Sequence, residues 1–317
     1  MPDPSSGRGD ISPAAIATAP ASVAPDLRTG LAFAAAGAVL FSAKAIVAKL
    51  LYRYSIDAVT VLALRMLFAG PFFAAIAAWQ CAKSPPLSWR DRGMVVVCGL
   101  LGYYLSSYLD FMGLQYISAG LERLILFLTP SVVLLINTFV LKRRIAGRQW
   151  LAMFIAYLGI VIVFAHDLHF SGDRVTLGTM LVFGSTLCYS VYLIATGELV
   201  ARVGPTRLVA YALCVSTVAV VGQYALLRPW SGLILPMPVY GLSLVNAVFC
   251  TVMPVVLTMW AVARVGAANA SQAGMIGPVS TLFLAAWLLG EPITWFQSAG
   301  CALVLAGMYV LSARRAA

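Results

Sequence analysis

Five ionisable side chains stand where few are expected: Lys44, Arg65, Asp110, Glu122 and Arg123 fall in or beside long apolar runs. A charge inside a bilayer is costly and usually faces a cavity or a partner. Three cations and two carboxylates so placed can do either of two things. They can form an outer gate and an anion-attracting wall that holds the carboxylate of a small solute. They can also form a structural ion-pair network, with Arg65 or Lys44 against Glu122 or Asp110. The two readings are compatible.

Aromatic side chains come next. Tyr104 sits near the middle of its apolar run, with Tyr108 one turn on, and Tyr192, Tyr189 and Trp260 can join them around a central cavity. Rings and hydroxyls suit an aromatic or planar solute, although helix packing and interfacial anchoring use the same residues. Gln272 and Asn246 are further polar candidates for such a cavity. Pro130 and Pro278 fall mid-run, where proline removes a backbone hydrogen bond and can kink a helix. Ala270, Gly274 and Pro278 are spaced by four and make a small face for close helix approach. Rocking about these prolines is one use, static packing the other.

Other chemistries find no support. There is no His-Glu-x-x-His, Gly-x-Ser-x-Gly or Walker sequence. His166 and His169 fall in a loop between apolar runs and are expected to be solvated. Six cysteines form no Cys-x-x-Cys pair and are expected to pack as small apolar residues. An enzyme is therefore not expected, nor a metal or cofactor. An intramembrane enzyme is the alternative from another class, and the missing Ser-His, paired-Asp or metal-ligand set counts against it. No acid falls at the expected midplane. Proton coupling would have to use Lys44 or Glu122, and uniport stands beside it.

The elements that position these residues follow from hydrophobicity. Apolar residues make up 62% and charged residues 10% of the chain, with mean hydropathy +0.93. Runs of about 20 apolar residues are long enough to cross a bilayer as helix. The expected class is all-α integral membrane, with ten transmembrane helices at 30–51, 58–79, 93–112, 118–140, 150–165, 176–196, 206–227, 239–263, 267–289 and 295–312. Residues 1–29 are expected to be a disordered tail. The first apolar run has the length of a signal-peptide core, but hydrophobicity resumes past Lys44 and points to a permanent span.

The net charge of +10 does not imply nucleic acid, because Lys and Arg concentrate at one set of helix ends. With the N-terminus inside, 14 fall at inner segments, five at outer ends and two within spans, completing the 21. That distribution places both termini in the cytoplasm, as for a multi-pass protein of a bacterial-type inner membrane. The expected partners are the lipid bilayer and a small-molecule substrate, with a monomer sufficient. On this orientation Lys44 lies roughly 21 Å from the inner end of its helix and Arg65 roughly 10 Å from the outer end of the next.

Shifting the chain by 148 residues aligns Pro130 with Pro278, Leu141 with Leu289, Gln149 with Gln297, Gly159 with Gly307 and Gly30 with Gly178, without a gap. The chain therefore contains two five-helix repeats, 30–165 and 176–312. Five is odd, so the second copy enters the membrane in the opposite sense. Such inverted repeats place a substrate near the midplane between the halves. The second-half counterparts of Lys44, Arg65, Asp110, Glu122 and Arg123 are Tyr192, Leu213, Thr258, Ala270 and Ser271. The expectation is a charged outer gate, with Asp110, Glu122 and Arg123, and an uncharged inner gate that includes Ser271.

The runs LFSAKAIVAKLLYRYSIDAVTVLALRMLFAG and GLQYISAGLERLILFLTPSVVLL, together with Leu289-Gly290-Glu291, resemble the EamA-type branch of the drug/metabolite transporter superfamily. The resemblance implies ten helices in two inverted repeats and export of small metabolites, amino acids among them, including aromatic ones. Multidrug and nucleotide-sugar carriers are alternatives within the same fold. An arginine at the Arg65 position recurs in that family. One departure is that the first copy has Leu141-Lys142-Arg143 where the family often shows Leu-Gly-Glu at both repeat ends, which makes Glu291 structural or interfacial.

Overall fold

A computed structural model describes residues 27–141, 147–171 and 174–312. Most of the 1–29 tail, Gly172 and the Lys142-Arg143 departure lie outside these residues. Leu27–Thr29, assigned to the tail, instead form the first turn of helix.

The described residues are helical throughout, joined by short turns. Among the described residues, nine helices are long and apolar enough to cross a membrane: α1 Leu27–Tyr52, α2 Ala58–Lys83, α3 Trp89–Leu114, α4 Ala119–Phe139, α5 Gly147–Leu168, α6 Arg174–Gly197, α7 Pro205–Leu227, α8 Met237–Gly266 and α9 Asn269–Leu289. A tenth apolar helix, α10 Trp295–Leu311, is shorter. The helices start and stop where side chains satisfy their ends. Ser118 accepts from Leu121 N–H at 3.1 Å and donates to Asp167 at 2.7 Å, which ties α4 to the end of α5. Gly266 turns α8 into α9 at φ 78°, a conformation that glycine adopts without a Cβ penalty. Phe154, Val218, Phe283 and Trp287 stand exposed on mid-helix faces. Such a surface is stable against lipid, not water.

The 148-residue offset is reproduced in the packing. A Cβ on Gly178 of α6 would meet Ile117 Cγ2 at 2.7 Å and Tyr116 Cβ at 2.9 Å; a Cβ on Gly30 of α1 would meet Val265 and Arg264. Those pairs are related by 30 + 148 = 178, 117 + 148 = 265 and 116 + 148 = 264. In the same way, a Cβ on Gly159 would lie 2.6 Å from Gly300 O, and one on Gly307 would lie 2.6 Å from Ala152 O. The α5–α10 contact is thus its own counterpart, while α1–α8 and α3–α6 exchange. The first helix of each half packs on the third helix of the other, so the halves interlock as one membrane body.

His166 is not in a solvated loop. It lies on the last turns of α5, beside Asp167, with its ring stacked on Phe296 at 4.8 Å between centroids. His169 lies in the same helix, which continues to Ser171. All six cysteines are free.

A surface tie joins α2 to α7. Asp57 caps α2 through Thr60 and pairs with Arg228 at 2.8 Å. Partial burial raises the Asp57 carboxyl, but hydrogen bonds from Thr60 and Arg228 outweigh it, and its pKa falls below the ordinary carboxylate value. A depressed folded pKa gives stability that is present above about pH 4 and is lost as pH falls through the folded value. Asp57→Asn should therefore flatten the acid limb of a thermal-stability profile by lowering stability near neutral pH, with little change below the folded pKa of the carboxyl. An unaltered acid limb would show that this tie contributes nothing.

Candidate functional site

The five ionisable residues do come together. Lys44 on α1, Arg65 on α2, Asp110 on α3, and Glu122 and Arg123 on α4 are each at most 7% exposed. Lys44 Nζ donates to Asp110 and lies 3.4 Å from Glu122 Oε1, an ion pair without a hydrogen bond. Two aromatic rings thread the cations. Phe41 lies between Lys44 and Arg123, at 5.2 and 5.0 Å. Phe111 lies between Lys44 and Arg65, at 5.7 and 5.2 Å. Each ring face offers a cation partial compensation for lost water. Sequence patterning did not single out these two phenylalanines, although Phe41 is one turn from Lys44 and Phe111 follows Asp110.

Arg65 does not pair with either acid. Its Nε donates to Thr251 Oγ1 at 2.8 Å, and that hydroxyl donates to Asn246 O at 2.9 Å. Thr251 lies within a π-helical turn at Val248–Val252 of α8, and Asn246 lies just before it. A wider turn removes carbonyls from the regular ladder and re-aims side chains, and such turns recur at functional sites. The repeat-equivalent helix α3 carries one too, at Gly99–Leu105. Several buried atoms here have no hydrogen-bond partner in the protein: Arg65 Nη1, Arg123 Nε, Asp110 Oδ1, both Glu122 oxygens and both amide atoms of Asn246. A buried, unsatisfied polar atom costs about 1–3 kcal/mol, more for a charged one. Among the described residues, seven of the eleven such atoms belong to this cluster and Asn246, in the outer half as the charge distribution orients the chain.

Arg123 reaches across to α9. A Cβ on Gly277 would lie 2.6 Å from its Nη2, and Gly277 O accepts from Ser42 of α1 at 3.0 Å. Pro130 and Pro278 each follow a break in the helix, at Phe127–Leu128 in α4 and Gly274–Met275 in α9. Gln272 and Ser271 are exposed near the inner end of α9, away from the charged cluster.

The tyrosines divide. Tyr104 and Tyr108 are half-buried against the core of α1 and α2. Tyr192 instead meets Tyr103, hydroxyl to hydroxyl at 3.1 Å and edge to face at 5.2 Å, with Tyr189 at 5.4 Å. Trp260 does not join them; it is half exposed and packs on Phe33 at 5.7 Å between centroids. The offset relates the two clusters: 44 + 148 = 192 and 103 + 148 = 251. The Tyr103–Tyr192 pair is thus the inner image of the Thr251 and Lys44 positions.

Leu289-Gly290-Glu291 ends α9 and fastens it to α1. Gly290 is left-handed at φ 73°, Arg53 Nη2 donates to Leu289 O at 2.6 Å, and Lys49 pairs with Glu291 at 2.9 Å. A cavity of about 320 Å³ opens beside this fastening, lined also by Tyr52, Leu114 and Gln115. Among the described residues no group of three His, Cys, Asp or Glu is arranged to hold a metal ion.

Comparison with known proteins agrees with the repeats. The model of the EamA-like transporter family matches twice, at residues 28–165 and 176–313. The uncharacterized transporter YcbK of Bacillus subtilis (strain 168) is 31% identical over 301 residues, 88% of this chain and 92% of that one. A probable terminal-alkyne amino-acid exporter of Streptantibioticus cattleyicolor is 25% identical over 263 residues, covering 80% of this chain and 84% of the relative. A protein of known crystal structure superposes with a TM-score of 0.64 at 16% identity, over 89% of this chain and 96% of the other, a likeness of fold alone.

Proposed function

The chain belongs to the EamA-like transporter family, and from that membership we propose that it is a secondary carrier exporting small metabolites, amino acids above all and aromatic ones among them, across an inner membrane. The observation that carries the reading is the buried cluster of Lys44, Arg65, Asp110, Glu122 and Arg123 with its unpartnered atoms. A purely structural network would close its own hydrogen bonds; one that exchanges partners with a solute leaves some open. The resemblance to an amino-acid exporter supports the substrate class. Access alternates between a charged outer gate built on Lys44, Asp110, Glu122 and Arg123 and an uncharged inner gate built on Tyr103 and Tyr192. The breaks before Pro130 and Pro278 supply the points about which α4 and α9 rock.

Purified protein in liposomes, offered labelled amino acids with and without a pH gradient, tests this. Movement above empty liposomes is expected for aromatic amino acids. Accumulation driven by the gradient would assign proton coupling, and equilibration unaffected by it would assign uniport. No movement of any amino acid would end this assignment of substrate.

A further inference from the structure

We propose that Arg65, held by Thr251 of the π-turn of α8, and Asn246 just before that turn seat a carboxylate, and that the preferred cargo is a monocarboxylate with an apolar body whose amino group is dispensable. This rests on the transport reading above and narrows it. Charge comes first. The buried cluster holds three cations and two carboxylates, a balance of 3 − 2 = +1. Lys44 is within 4 Å of both acids, whereas among the described residues Arg65 has no carboxylate at that distance. Asp110 lies within electrostatic reach of Arg65 but spends its short contact on Lys44. A monoanion at Arg65 brings the balance to zero; a zwitterion leaves it at +1; an amine raises it. In a low-dielectric interior that ordering decides which solute is held.

Donors come second. Arg65 Nη1, Asn246 Nδ2 and the Ser243 hydroxyl are buried and have no partner. Ser243 and Asn246 are three apart on α8 and share a face. Thr251 fixes the guanidinium through Nε, so its remaining N–H groups keep one direction. A planar fork held in this way matches a carboxylate. Apolar surroundings come third: the Phe111 ring lies under the guanidinium, and Ala69, Phe73, Leu213 and Ala247 form a core cluster of α2, α7 and α8. The inner images of Arg65 and Asn246 are Leu213 and Cys98, so the second copy of the repeat builds no such seat.

The test is ligand-induced thermal stabilisation of the whole purified protein in detergent, with 3-phenylpropanoate, L-phenylalanine and 2-phenylethylamine as probes, followed by counterflow in liposomes. The acid should stabilise most, phenylalanine less and the amine not at all. Arg65→Lys and Asn246→Ala should each weaken the acid's apparent affinity about tenfold or more. Asn246→Ala keeps every charge in place and covers the case in which Arg65→Lys fails to fold. Stabilisation by the amine equal to that by the acid, no stabilisation by the acid, or wild-type affinity in Asn246→Ala would each overturn the seat. Acid-dependent stabilisation without counterflow would leave the seat standing and overturn the transport of these solutes instead.

Discussion

Asp110→Asn should destabilise the protein by about 3–5 kcal/mol, because it leaves the Lys44 ammonium buried with only the more distant Glu122 as partner. At 1.4 kcal/mol per factor of ten, that is a loss of folded protein large enough to see as a drop in melting temperature and yield. The same principle predicts the opposite result when both members of the short pair go. Lys44→Met with Asp110→Leu removes one charge of each sign, leaves the balance of the cluster at +1 and keeps Glu122 beside Arg123; replacing a buried ion pair by apolar residues of similar volume is neutral or stabilising by roughly 1–4 kcal/mol. The double variant should therefore melt near or above the wild type and yet fail to transport. That combination separates the two readings the residues allow. A stable variant that still carries solute would make the pair structural alone. An Asp110→Asn variant that melts like the wild type would show that Lys44 does not depend on its short partner.

How much of this was legible in the sequence depends on the kind of signal. The bundle was legible because a span announces itself by length and apolarity alone. The repeat was legible from a handful of matches at one offset, and the packing of Gly30 and Gly178 on residues that are themselves 148 apart repeats it residue for residue. The five ionisable residues were legible because charge in an apolar run is rare. Their pairing was not: Lys44 rather than Arg65 holds the acids, and Arg65 turns to the other half of the chain. Long-range partners leave no periodic trace. The tyrosines show a second limit. Tyr104 was the natural candidate by depth, but Tyr103 faces Tyr192. Adjacent residues on a helix differ by about 100° in direction, and the π-turn at Gly99–Leu105 changes that phase part-way along. Phe41 and Phe111 were hidden for a simpler reason: a phenylalanine among apolar neighbours carries no mark of the cation that will lie on its face.

Gly102→Val should stop transport while leaving the charged cluster and its ligand seat intact. A Cβ at Gly102 would fall on the Tyr192 ring and 2.8 Å from its Cβ, closer than real side chains approach. Overpacking of that kind costs about 1–3 kcal/mol and is relieved by moving the softer partner, here the tyrosine side chain. Tyr192 would then lose its hydroxyl contact with Tyr103. The repeat shows why this position is glycine. Its image, 102 + 148 = 250, is Cys250, buried on the same core as the Lys44 backbone neighbours Ala45 and Ile46. The image of Tyr192 is Lys44, whose slender stem leaves room for a thiol where the tyrosine ring does not. Each half thus matches residue size across one α1–α8 or α3–α6 crossing, with a cation at the outer one and a ring at the inner. If the ring pair closes the inner side, Gly102→Val should reduce counterflow about tenfold or more with unchanged stabilisation by 3-phenylpropanoate, and Tyr192→Ala alone should do the same, because it removes the same contact. Loss of stabilisation together with transport would mean that the two clusters are one site rather than two gates, and wild-type counterflow would take the inner gate away from Tyr103 and Tyr192 altogether.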